Sequence, residues 1–339
     1  MDRVDFAIFR SLCGDGGARF YAARTVMDPR ISAVDVAEKI GISATAVRAR
    51  LRRWHTEGLL RGYAVWPNPA LFDVRVMSID LPVAANQPAD GLFLALKSVK
   101  GVLFARETID EDRRVVIVTF VSDTPESTKR RIQLLTRLAS GDTVAPARSA
   151  WLPPCTVELS RLDWKIIRLF REEPLLPLPR AAREAGVTLK TLSKRYHRLL
   201  DGNAVWWTIS VSNSKVPAVY VHVTFRDPEF AIRGSRELGG RFPSWIPAVT
   251  GGYGFPPEVR PVHLVAVFPL ESPAGVADIL REIHALPGVV SVRRRFPSES
   301  VCYPEWFDRR IEEKVAEGPV DISVSVREQD VVWPRLRAT

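Results

Sequence analysis

Cysteine, histidine and methionine are scarce in these 339 residues: three Cys, five His and three Met. Cys13, Cys155 and Cys302 lie far apart and are odd in number. No CxxC pair or Cys/His cluster occurs, which argues against a disulfide framework and a zinc-binding fold. The histidines lack HExxH spacing, and neither a GxSxG elbow nor a readable pair of carboxylates is present. No catalytic residue, metal or cofactor is therefore expected, and the chain is expected not to be an enzyme. No apolar run approaches the ~20 residues of a bilayer span. The opening MDRVDFAIFR carries charges of both signs and lacks the regions of a signal peptide. A cytoplasmic location without a membrane partner follows as an expectation.

What the chain does have is apolar material and positive charge. Hydrophobic residues make up 46%, enough for real cores, and 48 basic against 39 acidic residues give a net charge of +9. An excess of that size suggests a polyanionic partner. At roughly 100–200 residues per domain, two to four domains fit.

A repeat organises them. ISAVDVAEKIGISATAVRARLRRWHTEGLLRGYAVWPNP has a counterpart in LPRAAREAGVTLKTLSKRYHRLLDGNAVWWTISVSN. Gly41 and Gly186, Arg50 and Arg195, Leu60 and Val205, and Val74 and Val219 all differ by 145 positions. One offset held over residues of different types points to an internal duplication. Upstream, Asp5 and Asp163 differ by 158, so the first half carries an insertion, placed at 14–27.

The predicted fold class is α+β: two winged helix–turn–helix domains alternating with two ferredoxin-like βαββαβ domains. The expected boundaries are 1–68 for the first winged domain, 69–155 for the first ferredoxin-like domain, 156–213 and 214–304 for their counterparts, and 305–339 for a closing helix and tail. Gly41 marks a tight turn. Ser43 is placed to cap the next helix, which ends near Gly58. LLRGYAVW is read as a wing strand, and PNP as its exit. One face of the α/β strands is expected to dock the two α/β units together.

At 100° per residue, Val47, Leu51 and Trp54 turn inward, while Thr45, Ala49 and Arg52 lie opposite, flanked by Arg48 and Arg53. In the second copy Leu192, Tyr196 and Leu199 turn inward. Lys190, Lys194 and His197 point out, flanked by Ser193 and Arg198. The second helix of a helix–turn–helix enters the major groove of double-stranded DNA. Ser43, Thr45, Arg48, Arg52, Arg53, Lys190, Ser193, Lys194, His197 and Arg198 are accordingly the candidate DNA contacts. Arg50 and Arg195 sit nearer the core edge, as structural residues or phosphate clamps.

The run DPRISAVDVAEKIGISATAVRARLRRWHTEGLLRGYAVWPNP resembles the winged helix–turn–helix of the Lrp/AsnC transcription regulators. The βαββαβ pattern behind it is similar to that family's effector-binding and dimerising domain. VTGGYG, Val249 to Gly254, resembles the family's VTGDYD turn. The resemblance implies a DNA-binding regulator and a small-molecule effector such as an amino acid. It places the effector at Thr250, Gly251, Gly252 and Tyr253, with Thr108 and Asp110 in the first half. Two points depart from the family pattern: two copies are fused, as an intrachain pseudo-dimer able to form homodimers, and the acids of the turn are glycines here. Relatives with this fold include sirohaem decarboxylases, so a tetrapyrrole-dependent enzyme using His222 and His263 is one alternative. A ligand-sensing or assembly protein without DNA binding is another.

Overall fold

The structure is a computed structural model that describes residues 1–13, 32–84, 88–110, 113–139, 147–149, 155–212, 215, 218–241, 246–251, 262–269 and 273–317. The predicted insertion at 14–27 lies outside these residues, as do Gly252 and Tyr253. Among the described residues, no helix is long and apolar enough to cross a membrane.

Among the described residues, three helices come first: α1 (Arg3–Cys13), α2 (Ala33–Ile40) and α3 (Ala44–Thr56). Ser32 and Asp35 form a reciprocal capping box that starts α2. Gly41 stops it in the left-handed region (φ 71°), and Ser43 caps α3 by accepting the Ala46 N–H. Val36, Val47 and Trp54 pack with Ile8 and Leu12 in a small separate core. The same motif recurs as α6 (Arg161–Glu172), α7 (Leu178–Ala185) and α8 (Leu189–Asp201), with Gly186 at φ 72° and Thr188 as the cap. Its core is larger, because a C-terminal helix, α11 (Glu305–Ala316), lies on α6 and buries Trp306, Phe307 and Ile311.

Between these helices lie α4 (Ala89–Lys97), α5 (Pro125–Leu138), α9 (Pro228–Arg241) and α10 (Pro273–His284). The strands are β1 (Leu60–Pro67), β2 (Arg75–Val83), β3 (Val102–Asp110), β4 (Arg113–Ser122) and β5 (Arg148–Ser149). They continue as β6 (Val205–Val211), β7 (Ala218–Phe225), β8 (Ile246–Gly251), β9 (Val262–Pro269) and β10 (Val289–Cys302). Eight form one sheet in the order β5-β2-β4-β3-β10-β7-β9-β8.

The register repeats along with the sequence. Val76 pairs with Val121, and adding 145 to both gives Val221 and Ala266, which also pair. Arg106 pairs with Ile117, and the shifted positions, Gly251 and Val262, pair as well. β10 is long enough to serve both halves: Val289–Arg295 pairs with β7, and Arg295–Cys302 pairs with β3. At the two ends of the order, β5 and β8 come into contact, so the sheet curls toward closure.

Two expectations are corrected. The two four-stranded sections do not dock face to face; they join edge to edge along β3 and β10. β1 and β6 are not wings of separate hairpins; they pair with each other antiparallel, with Tyr63 opposite Ile209 and Ala64 opposite Thr208. The reason is local. A wing needs a tight turn and a returning strand, whereas β1 runs into Pro67, Asn68 and the 3-10 turn Pro69–Phe72, which leads directly to β2. Its free edge is covered by the other half. Asn68, fully buried, holds the junction: its side-chain amide donates to the Asn203 carbonyl at 2.9 Å.

Candidate nucleic-acid interface

Each helix–turn–helix is held by a buried aspartate from its first helix. Asp5, 1% exposed, accepts from Arg50 at 2.7 Å, from Arg53 at 2.7 Å and from the Trp54 indole N–H at 3.2 Å. Burial pushes the Asp5 carboxyl up. The Asp2 backbone N–H and the Arg50 guanidinium outweigh that and hold it below the usual carboxylate value. Asp163, fully buried, plays the same part, accepting from Arg195 at 2.8 Å and Arg198 at 3.4 Å, and from the Ser160 hydroxyl and backbone N–H. These bonds lock α3 against α1 and α8 against α6. Arg50 and Arg195 thus perform the structural role expected of them at the core edge.

The same bonds engage part of the predicted contact set: Arg53 and Arg198, both exposed, each spend a guanidinium edge on the buried aspartate of their own domain. A helical wheel cannot show this, because the acid comes from another helix, 48 and 35 residues away in sequence. Ser43 is engaged as the helix cap. Ser193 is half-buried.

What remains outward is compact. Thr45, Arg48 and Arg52 on α3, and Lys190, Lys194 and His197 on α8, are exposed. Arg48, Arg52, Lys190 and Lys194 have no ion-pair partner among the described residues. Two helices therefore carry unneutralised cations on their outer faces, with rigid, capped first turns. Such a surface can neutralise phosphates and reach base edges in a major groove.

Of the residues expected to hold an effector, Thr108, Asp110, Thr250 and Gly251 lie on strands of the large sheet. Thr108 is buried and donates to the Val115 carbonyl at 3.3 Å. Asp110 pairs at 3.2 Å with Arg295, whose other partner is Asp80 at 2.7 Å. Thr250 and Gly251 lie on β8, paired in the backbone with His263 and Val262. His222 lies on β7, whose neighbour β9 carries His263 opposite Thr224. Among the described residues no cluster of His, Cys, Asp and Glu could hold a metal ion.

Sequence reasoning missed Arg106. It sits in β3 at the register position that Gly251 takes in the second half. Its guanidinium lies over the Phe104 and Tyr220 rings, at 5.0 and 4.7 Å from their centroids. An arginine where the paired copy has glycine was the available signal.

Residues 27–61 match a family described as winged helix-turn-helix DNA-binding. No curated protein matches the chain. Among solved structures, siroheme decarboxylase NirDL is similar over 92% of this chain and 98% of its own, at 14% identity and a TM-score of 0.50. A co-complex of that protein with an iron-uroporphyrin III analogue matches equally. An AsnC family transcriptional regulator from Agrobacterium tumefaciens covers 44% of this chain and 88% of its own, at 18% identity and a TM-score of 0.28. The first likeness shows a shared fold, and it overturns the expectation that the chain is not an enzyme: a fold shared over 92% of the chain is one an enzyme uses.

Proposed function

We propose that this chain is a sequence-specific DNA-binding transcriptional regulator of the Lrp/AsnC kind, built as an internal pseudo-dimer. One observation carries the reading: two capped helix–turn–helix units present Arg48 and Arg52, and Lys190 and Lys194, outward and without an ion-pair partner among the described residues. The family match at 27–61 supports it. The pseudo-dimer is supported by the repeated register and by the ribbon. With an offset of 145, Tyr63 corresponds to Thr208 and Ala64 to Ile209, so the twofold axis relating the copies passes through the middle of β1 and β6. Helices related in this way suit successive major grooves, roughly 34 Å apart. Because their outer residues differ, the two half-sites are unlike in sequence. Pairing of whole chains into homodimers is compatible with this arrangement.

The test is anisotropy of a labelled duplex from upstream of the coding region, titrated with salt beside a random duplex and an Arg48→Ala/Arg52→Ala variant. The reading requires tighter binding to the first duplex, abolished in the variant. Equal, weak binding in all three arms refutes it.

A second reading, a tetrapyrrole-dependent decarboxylase, draws support from the likeness that covers 92% of the chain. Arg106, Tyr220 and His222, on the two strands that flank β10, would face such a substrate. Titration with sirohaem distinguishes it: a saturable band in the visible spectrum, sensitive to His222→Ala, supports it.

A further inference from the structure

A cleft of about 950 Å³ opens where the β1/β6 ribbon crosses the β3/β10 seam, beside α6 and α11. Its walls come from both halves of the chain. They are mainly apolar, and Trp66, Phe104, Trp206 and Phe307 are among them. Its charged lining is three arginines, Arg61, Arg106 and Arg171, against two carboxylates, Glu172 and Asp308, a net +1 by difference.

The arginines are not equivalent. Arg171 donates to Asp308 at 2.7 Å and to the Val65 carbonyl at 2.7 Å. Arg61 reaches Glu299 at 3.2 Å. Arg106 has no carboxylate partner among the described residues, only the faces of Phe104 and Tyr220. Its Nε is out of water with no acceptor among the described residues, while the rest of the half-buried side chain keeps surface at the cleft. An unneutralised guanidinium among aromatic walls is complementary to an anion carried on an apolar body.

We propose that this cleft binds a small aromatic carboxylic acid. The accessible part of the Arg106 guanidinium holds the carboxylate, and the ring lies among the aromatic walls. Because the cleft is bounded by the ribbon and the seam, the acid bridges the helix–turn–helix layer and the sheet. The proposal does not depend on what the outward helix faces bind.

The probe is 1-naphthylacetate, with 1-naphthylacetamide as its uncharged twin, measured by titration calorimetry and thermal shift on the full chain. The expected result is one saturable site for the acid and binding at least about tenfold weaker for the amide, one charged hydrogen bond's worth. Arg106→Gln lowers acid affinity by a similar factor while leaving amide affinity unchanged. The acid raises the melting temperature of the wild type, increasingly as its concentration exceeds the dissociation constant. Should Arg106→Gln fail to fold, the acid–amide comparison in the wild type decides. No saturable site for the acid, equal affinity for acid and amide, or a folded Arg106→Gln that binds the acid undiminished overturns the proposal.

Discussion

Arg295, 3% exposed, donates to the Asp80 carboxylate at 2.7 Å, joining residues 215 positions apart across the seam of the sheet. Asp110 accepts from the same guanidinium at 3.2 Å. This bond sits where β10 passes from β7 to β3, since Arg295 pairs with Tyr220 on one side and Asp110 on the other. Removing one partner leaves an uncompensated charge, which typically costs about 3–5 kcal/mol. Arg295→Met is therefore expected to lower stability by about that amount in urea unfolding, and Arg295→Met/Asp80→Leu to recover part of it. A loss below about 1 kcal/mol in the single variant would mean that the seam does not rely on this pair.

Arg48 and Arg52 should behave differently from Arg53. Arg48→Ala/Arg52→Ala is expected to leave the melting temperature within a degree or so, because exposed substitutions are usually close to neutral. It should flatten the salt dependence of DNA binding by about 0.9 for each phosphate that the variant no longer neutralises. Arg53→Ala removes a partner of buried Asp5, so it should destabilise the first helix–turn–helix before it affects DNA. Chemical denaturation beside salt-titrated anisotropy separates the two. A variant pair with interchangeable effects would be incompatible with the assignment of Arg53 to Asp5.

Acid should loosen the N-terminal unit through Asp5. Its carboxyl is held below its ordinary value in the folded state. The contribution is thus fully present above the unfolded carboxylate pKa and is lost as the pH falls through the depressed folded value. Fluorescence of Trp54, whose indole donates to Asp5, should report the loss. Asp5→Asn should be less stable at neutral pH, by about 1–3 kcal/mol, and should show a weaker acid dependence. An unchanged acid profile in that variant would rule Asp5 out as the titrating group.

The turn glycines offer a graded test. Gly41 and Gly186 have φ 71° and 72°, and an added Cβ would meet nothing within 4 Å. Alanine there carries only backbone strain, about 1–2 kcal/mol. Gly288 also has a positive φ, 74°, but its Cβ would collide with the Phe230 ring. Gly288→Ala should cost distinctly more in thermal unfolding than either turn variant. Equal losses at the three sites would show that Phe230 moves aside freely.

Much of this was legible in the chain. Gly41 and Gly186, set 145 apart, are read as turns because few side chains tolerate a left-handed backbone there. Ser43 is legible as a cap from its place before the helix, and Val47, Trp54, Leu192, Tyr196 and Leu199 as core from a 3.6-residue period. Arg53 and Arg198 were not, because periodicity assigns a face and not a partner. Nor was Arg106, whose setting depends on Tyr220 from the other half.

By itself the sequence determined the local elements and the basic helix faces, which depend on spacing within one element, and the offset of 145 that relates its two similar stretches. Only the tertiary structure decided that β1 pairs with β6, that β10 joins both halves into one sheet, and that Asp5 and Asp163 claim two arginines each. Those are pairings between distant segments, set by which free edges and which buried charges the packed chain brings together.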